Sequence, residues 1–376
     1  MCGPDNAVSF RVMVSPVNPS TLSYDTIVVG AGPAGCMAAL GASPRGRVLL
    51  VDSSAIPRDK SCGGMLNEYA QEFLSPYGDL PTSLIREPRY VWFRYVDWDR
   101  QIRKPTELKF LNVDRVGFDE WLLDLLPDTV ELAPSTPVVA FEQDPSGVTV
   151  TLKDPSGVRT LRCENLVGAD GARSTVRRAL GVGSVATYVT LQDFCRLGDE
   201  LEPYFDCIYM RDIGDSFGYA YVVPKGDVAI VGSVFYPKTK RPHEKQDMVL
   251  SMLRARLPQL GEAVKREACV ALSVRSAGDV VPGRSRVLLA GEAAGFMSPT
   301  SGEGISYALN AGRLAGEAIA NNAPDDALAA YAKSSEHIAR NIRRKLRWLP
   351  FMESSAGKYV AGFVPTPLVS KVTKGL

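Results

Sequence analysis

The sequence predicts an α/β fold with two parts: a Rossmann-like nucleotide-binding domain on a parallel sheet and an α+β second domain on an antiparallel sheet. An apolar, β-branched run at Thr26–Val29 is followed by a G-x-G-x-x-G pattern and a helix-forming segment. Aromatic and β-branched residues are dense at 89–112 and again at 185–275, which is typical of antiparallel strands. Residues 331–376 are basic and helix-forming, so we expect helices at the end of the chain.

The glycine pattern has the surroundings of a dinucleotide-binding fingerprint. Gly30 suits the tight turn after the strand, Gly32 lets the backbone approach a pyrophosphate, and Gly35 lets helix and strand touch. A second buried strand, Val48–Val51, leads to Asp52, which lies 22 residues after Gly30, close to the ~20 expected of the acid that binds the ribose. The N-terminus of the intervening helix would face the pyrophosphate. Together these residues predict a bound dinucleotide.

The composition is that of a globular enzyme. A chain of 376 residues can form two domains, and its formal net charge of +1 gives no overall field that would attract nucleic acid. Seven cysteines without a C-x-x-C pair, and two histidines in polar stretches, predict neither a disulfide framework nor a metal site. No apolar run approaches the ~20 residues needed to span a bilayer. We therefore expect a cytoplasmic protein, with Met1–Ser20 as a loosely ordered tail.

Two later stretches are predicted to return to the first domain. Three short strand-like runs between 138 and 162 indicate a meander, and Asn165–Arg178 indicates a separate buried strand, a sharp turn and a helix. Arg286–Ile305 indicates a buried strand, a small-residue loop and a helix that begins near Gly304. The predicted nucleotide-binding domain comprises 22–86, 110–184 and 277–330, the second domain comprises 87–109 and 185–276, and the C-terminal helical segment is 331–376.

Three separated motifs together resemble one class of enzyme. The G-x-G-x-x-G pattern, G-A-D-G-A-R-S-T-V-R and L-L-A-G-E-A-A-G resemble the FAD-dependent oxidoreductases of the glutathione-reductase-type fold, in the branch that contains para-hydroxybenzoate hydroxylase. The middle motif matches the D-G-x-x-S-x-x-R of that class from Asp170 to Arg177. Gly291 and Glu292 stand where the class has a ribityl-binding Gly-Asp pair, so the carboxylate is kept with one more methylene. The resemblance implies that the dinucleotide is FAD.

Three further stretches resemble the geranylgeranyl reductase family. They are P-R-D-K-S-C-G-G-M-L from Pro57, F-G-Y-A-Y-V-V-P-K-G-D from Phe217 and A-A-G-F-M-S-P-T-S-G-E-G-I from Ala293. In the second stretch, Tyr219 matches the family's Tyr-x-Trp-x-Phe-Pro, while tyrosine and valine replace its Trp and Phe. The resemblance implies hydride transfer from reduced FAD to the carbon–carbon double bonds of an apolar, prenyl-like substrate.

Several residues implied by these resemblances also have a plainer structural interpretation. Cys62 is either a group at the flavin ring or a packed thiol, and Tyr219 and Tyr221 line either a substrate pocket or a core. Lys60 either neutralises a phosphate or substrate anion or is solvated, and Arg115 either contacts FAD or forms a structural salt bridge. The predicted cofactor-binding residues are Gly30, Gly32, Pro33, Ala34, Gly35, Asp52, Ser53, Lys60, Cys62, Gly63, Gly64, Arg115, Asp170, Gly171, Gly291, Glu292, Gly302, Gly304 and Ile305. The predicted catalytic or pocket residues are Cys62, Tyr219 and Tyr221.

The sequence leaves three functions open. The first is the reductase, with NAD(P)H or a small reduced redox protein as a transient electron donor, because there is no second glycine fingerprint. The others are a flavin-dependent aromatic monooxygenase or halogenase-like enzyme, and a flavin redox sensor without catalysis. We expect a small apolar or lipid-like substrate and no nucleic acid, and the oligomeric state is not determined. The cationic C-terminal helix fits either peripheral contact with an anionic membrane or a solvated face. The N-terminus of the helix after Gly304 is expected to stabilise anionic reduced flavin.

Overall fold

A computed structural model describes residues 23–211, 213, 217–361 and 363, and the predicted tail Met1–Ser20 lies outside them. The strands are β1 Ser23–Val29, β2 Val48–Val51, β3 Met65–Asn67, β4 Ile85–Asp97, β5 Ile102–Val113, β6 Val130–Ala133, β7 Val138–Asp144, β8 Gly147–Asp154, β9 Gly157–Gly168, β10 Thr187–Leu197, β11 Tyr204–Tyr209, β12 Phe217–Lys225, β13 Val228–Phe235, β14 Leu260–Leu272, β15 Gly283–Arg284 and β16 Val287–Leu289. The helices are α1 Pro33–Ala42, α2 Glu68–Leu74, α3 Arg115–Asp124, α4 Thr175–Ala179, α5 Pro242–Arg256, α6 Ile305–Asn321, α7 Ala327–Ser334, α8 Glu336–Leu346, α9 Leu349–Glu353 and α10 Ser355–Ala361.

The first sheet is the predicted Rossmann-like sheet. Its strand order is β15-β16-β9-β1-β2-β6, and the strands from β16 to β6 are parallel. The apolar residues of its central strands are almost fully buried, as expected when both faces of a sheet are covered. Val29, Val51, Gly168 and Leu289 end their strands in register. The chain segments that follow these four strands therefore meet at one edge of the sheet.

The middle of the chain differs from the prediction in one respect. The last strand of the predicted meander and the buried strand predicted after Asn165 are one strand, β9. Its first half pairs antiparallel with β8, and its second half runs parallel to β1. The prediction of two strands was wrong because β9 changes its pairing partner without a break, and the polar Asn165 lies inside the strand. In the structure this side chain is buried, and its amide donates to the carbonyl of Pro324.

Helix α1 packs against α6 through glycines of α6. A Cβ on Gly312 would lie 2.1 Å from the carbonyl oxygen of Ala34, and a Cβ on Gly316 would lie 2.4 Å from that of Ala38. The two helices therefore touch through their backbones, which fixes α6 beside the glycine fingerprint.

The second sheet has the order β14-β10-β13-β12-β11-β4-β5-β3, with only the β11–β4 pair parallel among the described strands. This sheet contains the β-rich segments predicted for the second domain, and it also includes β3, from the range 22–86 assigned to the first domain. Side chains alternate between its faces: Ala220 and Val222 belong to the core that α5 covers, whereas Tyr221 and Val223 belong to a separate cluster on the opposite face. Tyr219 packs on that second cluster.

The C-terminal helices connect the two domains. On α8, Ile338 and Ile342 are fully buried in the core of the first domain. Further along, Glu353 forms a 2.5 Å ion pair with Arg275, and the carbonyl of Lys358 accepts a hydrogen bond from the Tyr95 hydroxyl of the second sheet. No helix in the described part of the chain is long and apolar enough to cross a membrane.

Candidate functional site

The glycine segment after β1 forms a tight turn against the segment after β9. Gly30 has a φ of +103°, and a Cβ on it would lie 2.5 Å from the carbonyl oxygen of Ala169. A Cβ on Gly35 would lie 1.7 Å from the carbonyl oxygen of Gly30. A side chain at either glycine would push β1, α1 and β9 apart. These contacts are what the tight turn and the close helix–strand packing of the fingerprint require.

The N-terminus of α1 is open at Gly32. No side chain caps it, and its first turn carries no acid. A Cβ on Gly32 would meet the Nη2 of Arg58 at 2.8 Å, and the same guanidinium lies 3.8 Å from the carboxylates of both Asp52 and Asp119. An uncapped helix N-terminus beside an arginine suits a phosphate group. Sequence reasoning missed Arg58, although a positive charge in the loop directly after the fingerprint could have pointed to it.

Asp52 is buried at the same edge, directly after β2. Its Oδ2 accepts a 2.8 Å hydrogen bond from the backbone N–H of Ala31, and its Oδ1 accepts one of 2.8 Å from that of Ser54. These two bonds hold the carboxylate beside the glycine turn. Because each carboxylate oxygen can accept more than one hydrogen bond, Asp52 can still bind hydroxyl groups.

Asp170 stabilises the turn after β9. Its Oδ1 accepts from the Ser174 hydroxyl at 2.5 Å, and its Oδ2 accepts from the first two N–H groups of α4 at 2.6 and 3.1 Å. Burial raises the pKa of Asp170. Arg177, at the other end of the same motif, donates to the carbonyl of Ala293 at 3.0 Å. The middle motif thereby binds the third motif directly.

The third motif completes a common cleft. A Cβ on Gly291 would lie 2.9 Å from the Cβ of Ala34, which belongs to the fingerprint helix. The Oε1 of Glu292 accepts from the backbone N–H of Leu272 at 3.2 Å, and its Oε2 lies 3.8 Å from the position of a Cβ on Gly171. The three motifs are therefore in contact at the strand ends, although they are far apart in the sequence.

Comparison with known families decides what this cleft is. Residues 124–345, more than half of the chain, match the model of a family described as an FAD binding domain. The chain belongs to the FAD-binding domain family. It is accordingly a flavoprotein.

Its relatives include proteins with different names. Protein CbrA of Escherichia coli O9:H4 (strain HS) is 30% identical over 86% of this chain and 87% of its own length. A geranylgeranyl bacteriochlorophyll reductase-like protein from Thermoplasma acidophilum has a TM-score of 0.75 at 19% identity, with 94% of this chain and 92% of that chain covered. The flavin-dependent brominase Bmp2 has a TM-score of 0.76 at 18% identity, with 94% and 93% covered. At these identities, the solved structures show the fold alone.

The residues at the cleft fit FAD. The uncapped N-terminus of α1 and Arg58 suit its pyrophosphate, and Asp52 suits the ribose of its adenosine. Glu292 lies where the ribityl chain is expected from the motif. The cradle is built largely of glycine backbone that a Cβ would fill or displace, which leaves room for a ligand to approach closely.

The residues just before α6, on the predicted flavin side, include a half-buried acid, Glu303. Glu303 accepts 2.8 Å hydrogen bonds from both the backbone N–H and the hydroxyl of Ser306, and burial raises the pKa of Glu303. From α8, the buried Nζ of Lys345 donates to Ser298 at 3.1 Å and to Tyr307 at 2.9 Å. Glu303 thus accepts from one backbone N–H at this N-terminus, and the stabilisation of reduced flavin by the helix dipole stays a prediction.

The loop between β2 and β3 brings Cys62 close to cationic groups. Its Sγ accepts from the backbone N–H of Gly64 at 3.4 Å and lies beside the Arg115 guanidinium. Arg115 also forms the structural salt bridge with Asp119, at 2.9 Å. Lys225, which sequence reasoning missed, donates to the carbonyl of Gly64 at 2.9 Å, and burial lowers the pKa of Lys225 to about 7. A single lysine in a polar turn gave no signal of this burial.

Tyr219 and Tyr221 lie between the Cys62 loop and the loop before α6. The Tyr221 hydroxyl accepts from the side-chain amide of Gln192, whose Oε1 in turn accepts from Ser61 at 2.6 Å. The Tyr219 hydroxyl lies 3.5 Å from the position of a Cβ on Gly302. Burial raises the pKa of both tyrosines. The two rings therefore lie beside the loop that carries Cys62 and the loop before α6, and their role in a substrate pocket stays a prediction.

The remaining predicted residues lie on the same loops and helix starts. Ser53 is exposed and Lys60 is half-buried in the loop after β2, so neither is fixed at the cleft as firmly as Asp52. The others are Pro33 and Ala34, buried at the start of α1; Gly63, half-buried beside Cys62; Gly304, the residue before α6; and Ile305, its first residue.

Proposed function

We propose that the chain is an FAD-dependent reductase of carbon–carbon double bonds in an apolar, prenyl-like substrate. FAD, once reduced by NAD(P)H or by a small redox protein, supplies the hydride. In this reaction the hydride adds to one alkene carbon and a proton adds to the other. The product then carries two more hydrogens than the substrate, and no oxygen is consumed.

The observation that most supports this proposal is an aromatic cluster on the face of the second sheet that carries Tyr219 and Tyr221. The rings of these two tyrosines are 6.3 Å apart, and Tyr221 is 5.9 Å from Phe205 in an edge-to-face contact. Phe93 and Phe110 contact Phe205 from 5.6 and 6.2 Å. Such a surface binds an apolar chain through contact area, whereas a charged substrate would lose its hydration there.

The tyrosines supply proton donors. Because burial raises their pKa, the hydroxyls of Tyr219 and Tyr221 stay protonated across physiological pH. Tyr221 is held by Gln192, whereas the hydroxyl of Tyr219 forms no hydrogen bond with the other described residues and lies beside Gly302. We therefore assign Tyr219 the role of giving the proton to the second alkene carbon, which suits reduction because that step needs an acid.

We propose that Cys62, which lies beside Arg115, influences the turnover rate or the reduction potential of the flavin. The Cys62 side chain contacts the Arg115 guanidinium and lies on the loop that is expected to face the flavin. We expect Cys62→Ala to keep FAD but to change turnover or the flavin reduction potential. Unchanged values for both would return Cys62 to the role of a packed thiol.

The reductase assignment is tested without oxygen. Photoreduced, FAD-loaded protein is mixed anaerobically with geranylgeraniol or with its fully saturated analogue as the control. We expect flavin reoxidation and a product heavier by two hydrogens with the alkene, and neither change with the saturated alcohol. Reoxidation that is equally fast with both alcohols would contradict the proposal.

A halogenase-like or monooxygenase reaction is the second candidate, because the brominase Bmp2 resembles this fold as closely as the reductase-like protein does. The same reduced protein is therefore exposed to air with bromide and with aromatic or alkene substrates. A product that carries oxygen or bromine, formed only in air, would favour this candidate over the reductase.

A further inference from the structure

An exposed cationic and aromatic stripe runs along α8 and into α9. Arg340, Arg344 and Arg347 follow one another at helical spacing on the solvent side, and Trp348 and Phe351 continue the same side. Trp348 is 53% exposed and Phe351 is 47% exposed. We call these five residues the C-terminal stripe. Two large aromatic side chains exposed beside three arginines are unusual on a surface that faces only water.

The charges of the stripe are not neutralised by the nearest acids. Glu336 is paired with Arg343, and Glu353 is paired with Arg275 at 2.5 Å. Within residues 23–211, 213, 217–361 and 363, the three arginines of the stripe form no ion pair. The formal net charge of the whole chain is only +1, so the stripe is a local concentration of positive charge.

The opposite side of α8 fixes how the stripe is oriented. Ile338 and Ile342 are fully buried, and Lys345 donates to Ser298 and Tyr307 in the loop and helix on the flavin side. The stripe therefore cannot turn inward without breaking these contacts. It forms the outer surface of the element that closes the flavin side of the protein.

The helix that follows continues this surface toward the second sheet. A Cβ on Gly357 would lie 1.8 Å from the carbonyl of Phe351, so α10 packs directly on α9. Beyond it, Tyr359 and Phe363 are 52% and 63% exposed, with their rings 5.8 Å apart. Lys358 lies over the rings of Tyr209 and Tyr236 in the second domain.

We propose that the C-terminal stripe docks the protein on an anionic phospholipid surface. Guanidinium groups bind lipid phosphates, while tryptophan and phenylalanine rings reside at the level of the headgroups, so the mixture on the stripe matches this boundary. A two-fold dimer through the same stripe would bring its arginines close to those of the second copy, which is unfavourable. The proposal itself stands on the stripe and does not depend on the reductase assignment.

The test is vesicle flotation of the full-length, FAD-loaded protein. We expect it to bind vesicles that contain phosphatidylglycerol, to bind pure phosphatidylcholine weakly, and to lose binding as salt is raised. Arg344→Glu/Arg347→Glu should lower the partition coefficient by roughly twenty-fivefold or more, because each arginine lost near an anionic surface costs roughly fivefold. Trp348→Ala should lower it as well, and Trp348→Phe should restore it.

The matched control is Arg196→Glu/Lys240→Glu, which changes the net charge equally at two exposed cations of the second domain. FAD content and visible spectra confirm that each variant is folded. Equal loss of binding in the control, or unchanged binding in Arg344→Glu/Arg347→Glu, would overturn the proposal. It would also be overturned if the wild type bound vesicles only after removal of residues 364–376, or if light scattering showed a dimer that the stripe variants abolish.

Discussion

The two surfaces that meet at the flavin cleft are built in different ways. At the edge of the first sheet, contacts are made by backbone atoms: a Cβ on Gly35 would lie 1.7 Å from the carbonyl of Gly30, and one on Gly312 would lie 2.1 Å from that of Ala34. On the second sheet, contacts are made by the ends of side chains, such as the Tyr221 hydroxyl and the Gln192 amide. Backbone contacts leave no room for adjustment, whereas side chains can change rotamer.

This difference separates what the fold demands from what the reaction demands. The cofactor edge must be formed before any chemistry is possible, and few residue types satisfy it. The substrate face needs only an apolar surface with well-placed hydroxyls, so many residue types can serve. Substitutions on the first surface should therefore change folding or FAD content, and those on the second should change turnover.

Gly35→Ala should have the largest effect. The added Cβ overlaps the carbonyl of Gly30, and relief requires movement of backbone on both sides, at a cost of roughly 3 kcal/mol in the free energy of unfolding. Urea denaturation measures this loss. Gly278→Ala, where the new Cβ meets only the Ser276 hydroxyl at 3.6 Å, is the control and should unfold like the wild type. Equal stability of the two variants would contradict the backbone-contact account.

Gly32→Val should abolish FAD binding while leaving the fold intact. Gly32 has a φ of −89°, which valine adopts readily, and the added Cβ would meet only the guanidinium end of the Arg58 side chain. The valine side chain would nevertheless cover the open N-terminus of α1. We expect the purified variant to be colourless, with a circular dichroism spectrum like that of the wild type. Its free energy of unfolding should lie within about 1 kcal/mol of that of the wild-type apoprotein. A yellow Gly32→Val protein would show that the pyrophosphate lies elsewhere.

Tyr221→Phe and Tyr219→Phe should separate support of the pocket from proton transfer. Loss of the Tyr221 hydroxyl leaves the buried amide of Gln192 without its acceptor, which should lower the free energy of unfolding by roughly 1–3 kcal/mol. Tyr219→Phe should change stability by less than about 0.5 kcal/mol but slow alkene reduction and alter its solvent isotope effect. If Tyr219→Phe retains full turnover in the anaerobic assay, another group or water gives the proton.

Lys225→Met should show its effect as a change in the pH dependence of stability. Burial lowers the pKa of Lys225 from 10.5 to about 7. Between these values the unfolded chain binds more protons at this residue than the folded protein does, so its contribution to the free energy of unfolding rises with pH from about 7 to 10.5. Urea midpoints across this range should rise less in Lys225→Met than in the exposed control Lys153→Met. If the urea midpoints of the two variants changed with pH in the same way, Lys225 would be hydrated in solution and the account of its burial would be wrong.

The part of the site that lies close together in the sequence was predictable. The unit from Gly30 to Asp52 is one strand, turn, helix and strand, and its spacing follows from backbone geometry. Arg58 and Lys225 were missed because lysine and arginine in polar loops are usually solvated, and nothing local shows that their partners lie on other elements. The prediction of two strands in place of β9 failed for a similar reason. When a strand changes its pairing partner, the alternation of its side chains continues unchanged, so the sequence carries no sign of the change.

The sequence by itself determined the cofactor edge: glycines, apolar strands and Asp52 specify a nucleotide-binding turn because only local backbone geometry is involved. Only the tertiary structure decided what surrounds that edge. It placed the buried Lys345 near the half-buried Glu303 at the start of α6, set Cys62 beside Arg115, and left the arginines of the C-terminal stripe on the surface. These arrangements depend on long side chains that meet across distant segments, and the energy of such contacts depends on burial and partners that residue type alone does not carry.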